Sequence, residues 1–211
     1  MSRRLANLTL DVLDELPHPC RACVFWELDP VSKARAEASG DPAFDKEAWV
    51  SSTLLAWGSC GTVVYVDGMP AGYALYAPPS YIPRSMAFPT APVSGDAALL
   101  ATLRVDPAFR EGGLARMLIQ GVVRDLARRG VKAVEAFGDA KPTPGTMCVV
   151  PADFLLSVGF KTVRPHHRWP RLRLDVKGAQ GWRAEAEAAL ERLLGGALPV
   201  GAPEPAYRGR T

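Results

Sequence analysis

The sequence predicts an α+β fold, with a central mixed, mostly antiparallel sheet of about seven strands flanked by helices. Three observations predict it. Gly61-Thr-Val-Val-Tyr-Val-Asp-Gly68 and the apolar run from Met69 to Tyr76 meet at an Asp-Gly turn, which is a hairpin signal. The near-continuously apolar stretch Leu99–Val105 then leads through two glycines into an amphipathic helix and a further strand, a β-α-β crossover between parallel neighbours. The composition, 48% hydrophobic and 22% charged over 211 residues, suits one globular unit with a sizeable core.

Taken in order, residues 5–13 and 22–28 read as short strands separated by Pro17-His-Pro19. Asp41-Pro42 opens a helix to about Trp57, with Asp at the cap and Pro at the first helical position. The hairpin over 61–76 follows. Residues 77–95 hold five prolines in 19 positions and read as a long loop, as does 27–45. After the strand at 99–105, apolar residues at 115, 118, 119, 122, 123 and 126 form one helical stripe, which Gly130 ends. Val131–Phe137 is a strand, 151–159 a short helix, and Lys161–Arg164 and Arg171–Val176 the last strands. Residues 179–194 read as an extra C-terminal helix and the stretch from Gly195 as a mobile tail. The expected organisation is a domain over 1–176 followed by this extension.

Net charge is +3, from 25 basic and 22 acidic residues, with no basic block to suggest nucleic acid. No apolar run reaches a membrane span, and the first residues lack the apolar stretch of a secretion signal, so a soluble cytoplasmic protein is expected. Four cysteines stand at 20, 23, 60 and 148. The Cys20-x-x-Cys23 pair can be half a zinc site or a redox dithiol, but no second metal-ligand pair accompanies it. Ordinary buried thiols and no bound metal are the simpler expectation.

The segment Val105-Asp-Pro-Ala-Phe-Arg-Glu-Gly-Gly-Leu-Ala-Arg-Met-Leu118 carries the chemistry. A helix begun at a glycine turn aims unpaired N–H groups and a partial positive charge at one spot, which suits a phosphate. No Lys-Ser/Thr pair follows, so this is not a P-loop. Its place mid-chain, after antiparallel strands, does not suit a dinucleotide fingerprint. The turn Arg110-Glu-Gly-Gly113-Leu-Ala115, with its V-x-P-x-x-R lead-in, resembles the pyrophosphate-binding motif Q/R-x-x-G-x-G/A of the GNAT N-acetyltransferase superfamily. Cys148-Val-Val-Pro-Ala-Asp-Phe154-Leu-Leu-Ser-Val-Gly159-Phe160 is similar to the family's second segment, N-x-x-A-x-x-L-Y-x-x-x-G-F. The two cover roughly residues 5–176 together with the strand order.

The resemblance implies a GNAT-like fold, acetyl-CoA as co-substrate, and transfer of an acetyl group to a primary amine by direct attack in a ternary complex. It implies that backbone groups of Leu103, Arg104 and Val105 pair with the pantetheine as a substitute strand. Backbone N–H groups of Glu111, Gly112, Gly113, Leu114, Ala115 and Arg116 would cradle the pyrophosphate, with added charge from Arg110 and Arg116 and with Cys148 beside the cofactor. The family's usual glutamate base and tyrosine acid fall on Leu99 and Leu155. The replacement candidates are Asp96, Glu135 and Cys148, with Asp139 or a tyrosine in 73–81 behind them. Glu135 has a plain reading as an exposed strand residue. The basic turn Arg164–Arg171, with His166 and His167, is placed to attract an acidic acceptor, or is simply solvated. The expected partner is a small-molecule or peptide amine, with no nucleic acid or membrane and with a homodimer open. Two other readings are a non-catalytic acyl-CoA sensor and a metal or redox regulator built on Cys20 and Cys23.

Overall fold

A computed structural model of the chain describes residues 2–17, 20–143 and 148–178. The sheet has eight strands among the described residues: β1 (Arg3–Asn7), β2 (Gly61–Val66), β3 (Met69–Ala77), β4 (Ala97–Val105), β5 (Ala133–Asp139), β6 (Val150–Pro151), β7 (Lys161–Arg164) and β8 (Arg171–Asp175). Their order is β1-β2-β3-β4-β5-β8-β7, with β6 added beside β5. All neighbours are antiparallel except β4–β5 and β5–β6. The expected hairpin is β2–β3, with Val66 facing Met69.

Helices α1 (Leu10–Leu13), α2 (Pro30–Ser39), α3 (Pro42–Trp57), α4 (Leu114–Arg128) and α5 (Ala152–Ser157) complete the fold. One face of the sheet packs Val63, Leu75, Leu99 and Phe137 against Trp49 and Val50 of α3, with Trp26. The other packs Val64, Leu100, Val134 and Leu172 against α4 and α5 through Leu118, Val122, Leu126 and Leu155. Of the stripe expected on α4, Leu118, Ile119, Val122, Val123 and Leu126 are buried and Ala115 is half-buried.

Three expectations are corrected. The strand expected over 5–13 is β1 over 3–7 followed by the short α1. Residues 22–28 form no strand: Cys20–Ala22 is a 3₁₀ turn, and Val24 and Trp26 are apolar because they fill the core beneath the sheet. The expected loop at 27–45 contains α2, begun by Asp29, whose carboxylate accepts from the Val31 and Ser32 amides at 2.8 and 3.1 Å. The expected helix at 179–194 and the tail beyond lie outside the described residues.

The pairing of β4 with β5 positions the site. It covers only Ala97↔Ala133, Ala98↔Val134 and Leu99↔Glu135. On its other side β4 stays paired with β3 as far as Gly72↔Val105. Leu75 faces Thr102 while Tyr76 faces Leu100, so Ala101 is an extra residue that increases the local twist of β4. β8 holds one edge of β5, and β6 enters the edge that β4 has left, pairing Gly138 with Val150. The two central strands thus diverge as a V, with β6 as a wedge.

Candidate functional site

The outer arm of the V ends in the glycine turn. Asp106 starts it, its carboxylate accepting from the Ala108 amide at 2.8 Å, and a 3₁₀ turn runs over Pro107–Gly112. Gly113 follows at φ +68°, the left-handed region that side chains rarely adopt, and opens α4. Space around its Cα is open, with no heavy atom within 4 Å of where a Cβ would stand. The Met117 amide donates to the Gly113 carbonyl at 3.1 Å, so the amides of Leu114, Ala115 and Arg116 precede the first helical bond. Arg3 donates to the Gly112 carbonyl at 2.6 Å and fixes the turn to the sheet. Arg110 and Arg116 are exposed at its mouth. Asp106 donates its amide to Ala71 on β3 at 2.9 Å, so by strand alternation Leu103 and Val105 turn theirs toward the open edge.

Deeper in the V, the 3₁₀ turn at residue 20 brings two thiols together. The Cys23 and Cys148 sulfurs lie 3.6 Å apart, across 125 residues of sequence. The Cys148 thiol donating toward Cys23 pulls Cys23 down to about 6, against the cost of burial. The same contact and burial hold Cys148 protonated, well above the ordinary thiol range. Trp26 donates its indole N–H to the Cys148 carbonyl at 2.7 Å. A water-sized cavity beside these thiols is lined by Thr102 and Arg104 of β4, Tyr73 of β3, and the Glu27–Lys46 pair. That pair is 2% exposed on each side, and Lys46 also donates to the Cys23 carbonyl at 3.1 Å. Cys23 thus faces Cys148 rather than Cys20. Among the described residues no three Cys, His, Asp or Glu side chains group as a metal site.

The carboxylates expected as bases are engaged by arginines. Glu135 is fully buried, not an exposed strand residue: Arg171 pairs with it, Arg173 lies 3.4 Å away, and the Ser94 amide donates to it at 3.2 Å. A strand flanked on both sides leaves no solvent-facing position there. Asp96 accepts both arms of the Arg173 guanidinium at 2.9 and 3.0 Å, which hold its carboxyl below the usual range and weaken it as a base. Asp139 is buried 3.3 Å from Arg168 and keeps one oxygen without a partner. Tyr73 is held protonated by burial and by Cys20, and Tyr76 lies on the opposite face, bonded to Asp125 at 2.8 Å. The basic turn is largely self-satisfied, with the His166 ring accepting from the amides of Arg168 and Trp169 at 3.1 and 2.9 Å.

Residues 22–143 match the family model described as "Acetyltransferase (GNAT) family". The chain belongs to the GNAT acetyltransferase family. It is an acyltransferase. A comparison with curated proteins finds no match. Among solved structures the chain is similar to the PaiA N-acetyltransferase from Thermoplasma acidophilum in complex with coenzyme A, at 11% identity and TM-score 0.55, covering 83% of this chain and 99% of that one. It is also similar to an N-acetyltransferase from Staphylococcus aureus Mu50, at 14% identity and TM-score 0.52, over 83% and 99% of the two chains. These likenesses are of the GNAT fold.

Relative to the family's usual residues, Leu99 and Leu155 are both fully buried in apolar cores and offer no ionisable group. A second cavity, of about 300 Å³, opens on the side of Cys148 away from β4. Its walls include Phe25, Arg84, Phe88, Val149 and Trp169, with Cys148 between the two spaces. Phe88 stacks on Phe137 at 4.4 Å and on Trp26 at 5.1 Å, so this wall is rigid. The sequence pointed to Cys148 here, but carried no sign of Cys23, Phe88 or Arg84 as its neighbours. They come from two connections, α1–α2 and β3–β4, whose sequence holds no periodic pattern.

Proposed function

We propose that the chain transfers an acetyl group from acetyl-CoA to a primary amine by direct attack in a ternary complex. The observation that carries this reading is the divergence of β4 from β5 with the start of α4 at the open end. The free amides of Leu103 and Val105 suit an extended ligand rich in amides, as a missing strand would. The backbone from Glu111 to Arg116 suits a pyrophosphate, helped by Arg110 and Arg116, and Gly113 leaves the close approach clear. Acetyl-CoA supplies the activated acyl carbon, and Cys148 stands between its arm of the V and the second cavity.

The chain's own part is positioning and proton handling. Asp96 and Glu135 are both engaged by arginines, which hold the Asp96 carboxyl below the usual range. The Cys23–Cys148 pair fits the task better. As the amine nitrogen bonds to the acyl carbon and the carbon–sulfur bond breaks, the amine proton passes to the Cys148 sulfur, which lines the second cavity, while the Cys148 proton moves to the Cys23 thiolate on the β4 side. The Cys23 thiol so formed gives its proton to the departing sulfur, which restores the starting pair.

The test is thermal denaturation with and without acetyl-CoA, followed by thioester cleavage across a panel of amines. Acetyl-CoA is expected to raise Tm, by about 2.7 kcal/mol of linkage at a hundredfold excess over Kd. Gly113→Glu, checked first for its own ligand-free Tm, is expected to abolish the shift by placing a bulky negative group in the cradle. An unchanged shift in that variant refutes the assigned cradle.

A further inference from the structure

The second cavity has the features of an acceptor pocket with one unsatisfied charge. Its lining is apolar and aromatic, and a body placed there is enclosed by Phe25, Phe88, Val149 and Trp169. Arg84 is the exception. Its guanidinium lies over the Phe25 ring at 4.6 Å, and its Nε is buried without a hydrogen-bond partner. Among the described residues no carboxylate pairs with it. The neighbouring arginines each have a carboxylate: Arg171 pairs with Glu135 and donates to the Thr90 carbonyl, Arg173 pairs with Asp96, and Arg168, whose buried Nε also makes no hydrogen bond, lies 3.3 Å from Asp139.

A buried guanidinium N–H with no acceptor is costly, and a planar fork of donors matches a carboxylate. We infer that the acceptor is an amine that also carries a carboxylate on an apolar or aromatic body, with Arg84 as its anchor. Free amino acids of the phenylalanine or leucine type have this chemistry. A lysine side chain within a protein does not. The apolar walls supply area, the arginine supplies orientation, and Cys148 marks the end at which the amine must arrive. Arg84 is a specificity residue, separate from the proton-handling thiols. The inference rests on the acetyl-transfer reading and names the substrate class of that same site.

The test is titration calorimetry on the full chain saturated with CoA, using two matched pairs: L-phenylalanine against phenethylamine, and L-leucine against isoamylamine. Each amino acid is expected to bind about 10- to 100-fold more tightly than the amine lacking the carboxylate. Arg84→Gln should bring each pair to near parity, and Arg84→Lys should recover part of the preference. Equal binding in the wild type, no binding of either pair, or a preference that survives Arg84→Gln overturns the inference. The acetyl-CoA Tm shift is read in the same preparations. Its presence beside a failed carboxylate preference sinks this inference alone, whereas its absence sinks the donor reading as well.

Discussion

At Cys23 a single contact decides the chemistry. An isolated thiol titrates near 9.0, and here the Cys148 proton brings Cys23 to about 6. The reactive form is the deprotonated one, so its population rises with pH through about 6 and is nearly complete at neutrality. Alkylation of Cys23 by iodoacetamide, followed by mass spectrometry, is expected to show that inflection, with the rate falling about tenfold per pH unit below it. In Cys148→Ala the stabilising S–H is gone, so the inflection should move upward. An inflection that stays near 6 in that variant would refute the pairing. The sequence displayed a different pair. The Cys20-x-x-Cys23 spacing drew attention to a local dithiol, while the sulfur that matters comes from 125 residues further along the chain, just before β6. Glu135 was misjudged for a related reason. Its apolar neighbours gave no hint that Arg171 and Arg173, on β8, would bury it in a charge cluster.

Among the elements, the loop between α1 and α2 depends on α3 for its shape. Lys46, in the second turn of α3, reaches Glu27 and the Cys23 carbonyl from a buried site. Removing one partner strands the other charge in the core, which costs about 3–5 kcal/mol. Lys46→Ala is therefore expected to lower stability in urea unfolding by about that much. Replacing both partners, as Lys46→Met with Glu27→Leu, should cost much less. Equal losses in the single and double variants would contradict this account. Helix ends were legible where an apolar stripe accompanied them. Asp41-Pro42 announced α3, whose Trp49 and Val50 face the core. Asp29-Pro30 carries the same signal for α2, but that helix buries Ala36 and exposes Val31, so no stripe marked it. The apolar run 22–28 was misleading in the opposite sense, because a core-filling loop and a buried strand share a composition.

For the molecule as a whole, the sequence made the hairpin, the crossover and the glycine turn readable, because each rests on local chemistry. The short register between β4 and β5 was not readable. It depends on the extra residue at Ala101 and on β6 taking the vacated edge, and both are relations between distant strands. That V has a further consequence. An unpaired strand edge inside a sheet is a template on which any extended chain can add. On the proposed reading the donor covers this edge during turnover, and only the empty protein presents it. Amide exchange at Leu103 and Val105 is expected to slow when acetyl-CoA is added, while Arg104, bonded toward β3, should change little. Equal protection at all three would remove the strand-like role. The ligand that makes the enzyme work would then also keep its copies apart, and concentrated stocks should resist aggregation better with the donor present than without it.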